Sequence, residues 1–207
     1  GADPDEPAMP VASKDLAEAA TALRSSYRNQ LAAIIAQDAV ADDPTSIQPT
    51  ISRELSDLAD AALEGALAIA RHETKGSEHV RFTIIGMGKL GAQELNYVSD
   101  VDLIYVVEPV DKDVDHQTLI RVGTKMGTML QRVCQSAIMG VAEQPLWQID
   151  GGLRPEGKDG ALVRVLSSHK NYYEQWAENW EFQALLKARP VAGDPDLGQA
   201  YMDMTRP

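Results

Sequence analysis

Apolar residues recur at Leu16, Ala20, Leu23, Tyr27, Leu31 and Ile34, the three-to-four spacing of one helix face, which predicts a helix from Ser13 to Asp38. Asp42-Asp43-Pro44-Thr45-Ser46 interrupts it. A second run begins after Pro49, with Leu55, Leu58, Ala62 and Ile69 on one face, and completes a helical hairpin suited to packing on the back of a sheet. The pattern then changes. Phe82–Ile85 and Val101–Val107 are short, continuous, β-prone apolar runs and read as buried strands. After Glu108-Pro109 an acidic loop, Asp111 to Asp115, leads into a long helix with Leu119, Val122, Met126, Met129 or Leu130, and Val133 on its buried stripe. Leu146–Ile149 and Ala161–Val165 read as further strands flanking a loop, Asp150–Gly160. Ser167 is placed to cap a helical run that continues through Trp176, Trp180 and Leu185 to Ala188, with Tyr173, Trp176 and Trp180 as core and Arg189-Pro190 as its end. Asp194-Pro195 starts a last helix, an N-cap followed by proline at the first helical position.

Composition narrows the function classes. The chain has 207 residues and 44% apolar content, enough for a sizeable core. Its net charge is −12, from 31 acids against 19 bases, which argues against nucleic acid as a partner. The one cysteine, Cys134, falls in a helical apolar pattern and is expected to be a buried thiol in a reducing compartment. No apolar run is long enough for a membrane helix and no secretion signal is evident, so a cytoplasmic protein is expected. His72, His79, His116 and His169 show no zinc-ligand spacing. The expected organisation is a linker or cloning scar over 1–12, the helical hairpin over 13–75, a catalytic core over 76–166 and C-terminal helices over 167–207.

The chemistry concentrates in Arg81–Glu108, where Gly86-Met87-Gly88-Lys89-Leu90-Gly91 and then Ser99-Asp100-Val101-Asp102 lie between the two strands. Gly-x-Gly-x-x-Gly after a strand is the dinucleotide-binding fingerprint, but that fold needs a full crossover helix and an acid about 20 residues on. Only Lys89 to Ser99 is available here, and no Gly-Lys-Ser/Thr closes a Walker loop. The spacing favours the nucleotidyltransferase arrangement: strand, glycine turn, short helix, then an Asp-x-Asp strand. Residues two apart on a strand share a face, and two carboxylates on one face repel unless a cation sits between them. A hard divalent cation with oxygen ligands, usually Mg2+ near phosphates, meets that need.

GMGKLGAQELNYVSDVDLIYV closely resembles the signature of the glutamine synthetase adenylyltransferase/adenylyl-removing enzymes. Ile149-Asp150-Gly151-Gly152-Leu153-Arg154-Pro155-Glu156-Gly157-Lys158-Asp159-Gly160 resembles the family's later Asp-x-x-Leu-Arg-Pro segment, and Tyr172 to Arg189 resembles the helical run that follows it. The resemblance covers about Val80 to Gly198. It implies an α+β nucleotidyltransferase (polymerase-β-like) domain with a mixed sheet, an N-terminal helical hairpin and C-terminal helices. It also implies a two-metal Mg2+ site on Asp100, Asp102 and Asp150, the last as a metal ligand or the base that activates the nucleophile.

Phosphate and nucleotide contacts are expected from Gly88 and Lys89 at the short helix, from Ser99, and from Arg154 and Lys158 in the later loop. Lysine at position 89 is this family's pattern, where many relatives in the wider superfamily have serine. Gly152 stands where many members have arginine. Glu94 is expected to pair with a cation. Family members are longer and carry two such domains, so glutamine synthetase, a PII-type signalling protein and the rest of a parent chain are the implied partners. One half of the family adds AMP from ATP to a tyrosine of the synthetase; the other removes it by phosphorolysis, giving ADP. The motif wording, the preceding hairpin and the following LRPEGKDG look more like the N-terminal, removing half. The adenylylating half and a binding domain with little turnover are the alternatives.

Overall fold

A computed structural model describes residues 14–206. Ser13, the 1–12 segment and the final residue lie outside it. The first helix, α1, runs Lys14–Ala39, and α2 runs Pro44–Glu73. The second helix thus starts five residues before Pro49. The Asp43 side chain accepts from the amides of Thr45 and Ser46, and Pro44 takes the first position, where its missing N–H costs nothing. The segment read as a breaker is the cap of α2, and Pro49 is carried inside it.

Strand β1 (Val80–Gly86) and strand β2 (Val101–Pro109) pair antiparallel from Val80 opposite Pro109 to Gly86 opposite Leu103. The connection holds only the four-residue helix α3 (Gly88–Gly91), too short for the crossover that a parallel pair requires. After α4 (His116–Gln135) the strands foreseen at 146–149 and 161–165 shrink to two residues each, β3 (Ile149–Asp150) and β4 (Val163–Arg164). Both pair in parallel with β2, on the edge that β1 leaves free, so the sheet is mixed.

The C-terminal stretch departs most from expectation. It forms α5 (Leu166–Gln175), whose N-cap position is Val165 and not Ser167 and carries no side-chain cap, and α6 (Asn179–Leu185), which begins afresh with a Glu178/Glu181 capping box. The break changes what faces the core. Trp176 is 73% exposed and Trp180 50% exposed, while Tyr173 is half-buried and its hydroxyl meets that of Tyr201 at 2.9 Å. Arg189–Gly193 is an edge strand, β5, antiparallel to β1, so 167–207 is not helix alone. Proline and glycine hid it from the hydrophobic pattern, and an edge position is where a strand tolerates proline. The last helix, α7 (Pro195–Thr205), is capped by Asp194 as expected.

Strand alternation divides the core into two layers. Phe82, Ile84, Leu103, Tyr105 and Val107 belong to one cluster with residues of α1, α2 and α4, while Ile85, Ile104 and Val106 belong to a second with Leu185, Leu197 and Tyr201. Leu63 and Leu67 of α2 are fully buried in the first layer, and each side chain so buried contributes about 2 kcal/mol. The fully buried Arg24 of α1 has no place in a hydrophobic pattern. Its guanidinium donates to the carbonyls of Val133, Ser136 and Glu143, so it satisfies and neutralises the C-terminal end of α4. Cys134 is buried as foreseen, and burial pushes its thiol up to about 12. Among the described residues no helix is long and apolar enough to cross a membrane.

Candidate active site at the meeting of two strands

Asp102 is the second residue of β2 and stands in register with Asp150 on the neighbouring parallel strand β3. Neighbouring strands lie about 4.8 Å apart, so the two carboxylates are adjacent although 48 positions separate them in sequence. Asp100 precedes the strand and is exposed. Burial pushes the Asp102 carboxyl above its usual range; the charges of Asp150 and Asp100 add to the rise and the Lys89 ammonium opposes it. Asp150 and Asp100 therefore both lie within electrostatic reach of Asp102, as does the Lys89 ammonium.

The glycine turn is shaped around Asp102. The Met87 amide donates to the Asp102 carbonyl at 2.9 Å. Gly88 has φ +52°, and a Cβ there would lie 2.4 Å from Asp102 Oδ2, so only glycine lets the turn pass this close. A Cβ on Gly91 would lie 1.9 Å from the Lys187 carbonyl oxygen, which fixes the turn against the chain leaving α6. The glycines have packing duties in addition to any toward phosphate.

Arg189, read from the sequence only as the end of a helical run, holds this arrangement. Its guanidinium makes two hydrogen bonds to Asp60 of α2, at 2.5 and 3.1 Å, and donates to the carbonyls of Leu90 and Gly91. It thereby ties the end of the glycine turn to the hairpin and to β5. Burial raises the Asp60 carboxyl and the Arg189 contact opposes the rise. The two residues are 129 positions apart, and no local motif announces the pair.

The second loop is organised from within. Asp150 Oδ1 accepts from the Gly152 amide at 2.7 Å, and Lys158 Nζ stands 3.5 Å from Oδ2. Arg154 is turned inward, donating to the carbonyls of Gly151, Lys158 and Gly160. It fastens the loop, while Lys158, largely exposed, reaches Asp150. Ser99 donates to Asn96 Oδ1 at 2.6 Å and so closes the turn before β2 without contacting Asp100. Glu94 pairs with Lys187 at 3.0 Å, as expected.

Among the described residues no three His, Cys, Asp or Glu side chains form, as placed, a group that could hold a metal ion. The fit of a cation rests on the register-paired Asp102 and Asp150, whose oxygen-only donors and mutual repulsion suit a hard divalent ion.

A family model described as glutamate-ammonia ligase adenylyltransferase matches residues 5–204. The chain is 99% identical over 207 residues to a bifunctional glutamine synthetase adenylyltransferase/adenylyl-removing enzyme of Bifidobacterium longum (strain DJO10A), covering all of this chain and 19% of that protein. It is 48% identical over 197 residues to the same-named protein of Cutibacterium acnes, 95% of this chain and 20% of the relative. With the Mycolicibacterium smegmatis protein of that name it shares 47% identity over 188 residues, 89% of this chain and 18% of the relative. The chain spans about a fifth of the length of these curated relatives. Matched across nearly all its residues, it belongs to the glutamate-ammonia ligase adenylyltransferase family.

Proposed function

We propose that this chain is a nucleotidyltransferase-superfamily catalytic domain that removes AMP from adenylylated glutamine synthetase by phosphorolysis. The observation that supports it is the pairing of Asp102 with Asp150 beside a glycine turn that a side chain at Gly88 would block. In the reaction an orthophosphate oxygen forms a bond to the AMP phosphorus, the bond from that phosphorus to the tyrosine oxygen breaks, ADP departs, and the proton lost by the attacking hydrogen phosphate balances the one gained by the tyrosine oxygen.

Such transfers ask a protein mainly to position groups and to stabilise charge. Asp102 and Asp150, with Asp100 beside them, would hold Mg2+, which supplies positive charge at phosphate oxygens. Lys89 and Lys158 contribute ammonium groups from the two sides of the carboxylate pair. Arg154, committed to carbonyls, positions the loop. Arg189 and Asp60 position the glycine turn.

The direction rests on the motif GMGKLGAQELNYVSDVDLIYV, preceded by the helical hairpin and followed by LRPEGKDG, wording that resembles the removing half more than the adenylylating one. Contacts with a PII-type signalling protein and with the remaining length of the relatives' chain belong to the same reading, as does a cytoplasmic location. The test is to incubate the protein with AMP-modified glutamine synthetase and Mg2+, with and without orthophosphate, and to identify the released nucleotide. ADP that appears only with phosphate supports the reading. Modification of unmodified synthetase by ATP would reverse the direction, and silence in both would leave a binding domain.

A further inference from the structure

The face of α4 opposite its buried stripe carries Arg121, Lys125 and Arg132 along a groove of about 1000 Å³, with Lys75 and Glu73 on the facing turn. At 3.6 residues per turn the three α4 positions fall within about 40° of one another and form a straight row about 16 Å long. Several cations elsewhere are engaged within the molecule. Arg28, Arg81, Arg164, Lys187 and Arg189 pair with acids, and Arg24 and Arg154 are bound to carbonyls. Lys75, Arg121 and Lys125 form no ion pair among the described residues, and all three are exposed. Among the described residues Glu73 is the sole acid lining the groove. In a chain of net charge −12 this is a local inversion of sign.

We infer that this groove docks an acidic, extended segment of a partner protein. Same-face side chains of an extended segment recur about every 6.7 Å, close to the rise of about 6 Å between Arg121 and Lys125, so two successive same-face carboxylates meet that pair, while Arg132, about 10.5 Å beyond Lys125, lies off the repeat. The half-buried Met129 and the hydroxyls of Thr118, Thr124 and Thr128 also line the groove and suit the intervening side chains and backbone. A nucleic acid fits less well, because the rest of the surface repels a dense polyanion.

The test is fluorescence anisotropy of a labelled peptide of alternating Glu and Thr residues added to the full chain. Saturable binding at low salt that weakens as salt rises is expected, with a loss of about tenfold or more in Arg121→Glu/Lys125→Glu. Both side chains are exposed, so the variant should melt with wild type. Reversing two exposed cations elsewhere, Arg53→Glu/Lys112→Glu, should leave binding unchanged. Absence of binding by wild type, equal loss in both double variants, or tighter binding of an oligothymidylate of equal charge would overturn the inference.

Discussion

The two arms that bring Asp102 and Asp150 together are built to different standards. Asp102 sits on a nine-residue strand, paired over seven residues with β1 and buried on both sides. Asp150 sits on a two-residue strand and leads directly into a glycine-rich loop that Arg154 fastens through carbonyls. One arm draws its position from the core, the other from a single side chain. Damage to the first should therefore appear in stability or in chemistry outright, and damage to the second as local loosening.

The largest expected effect is that of Asp102→Asn. Turnover of AMP-modified synthetase should fall about 10³-fold, the scale of losing one electrostatic contact to a transition state. The melting temperature should hold or rise, because burial already disfavours the Asp102 charge. Gly88→Ala comes next. Its new Cβ must displace the Asp102 carboxyl and adopt a positive φ, so about 1–2 kcal/mol of stability and about 100-fold in turnover should be lost together.

Arg154→Ala should separate the arms. Turnover falls about tenfold, amide exchange rises within 151–160, and the melting temperature changes little. A collapse in stability like that of Leu67→Ala, about 2–5 kcal/mol, would show that the loop is part of the core after all.

An effect of a different kind is a pH dependence on the loop's side of the sheet. His169 is buried between Tyr173 and Tyr201, and burial, helped by the Arg164 charge, lowers its pKa to about 3. The unfolded chain therefore takes up this proton first as pH falls below 6.5, and stability declines from there toward about 3. His169→Phe should flatten that slope by up to one proton, about 1.4 kcal/mol per pH unit, in urea melts across the acid range.

The same contrast explains what could be read from the residues. The β1–β2 arm was legible because its strands are apolar throughout and its turn is spelled in glycines. The helical stripes of α1, α2 and α4 were legible for the same reason of periodicity. Asp150 came to the site only through family resemblance, since parallel pairing of a two-residue strand leaves almost no pattern. Arg189–Gly193 was missed because an edge strand of Arg, Pro, Val, Ala and Gly looks like a loop. Trp176 and Trp180 were misplaced because a run with continuous helical spacing is in fact two helices, restarted by Glu178 and Glu181. Arg24 and the Asp60–Arg189 pair depend on partners far along the chain, which spacing cannot report.

The most direct test of the central claim, that the two arms share one cation, is calorimetric titration of Mg2+ into the wild-type chain, Asp102→Asn and Asp150→Asn, each checked for an unchanged fold. Binding by the wild type, weakened about tenfold or more by either substitution, is the predicted result. Equal Mg2+ affinity in all three proteins, or loss in Asp102→Asn alone, would contradict it.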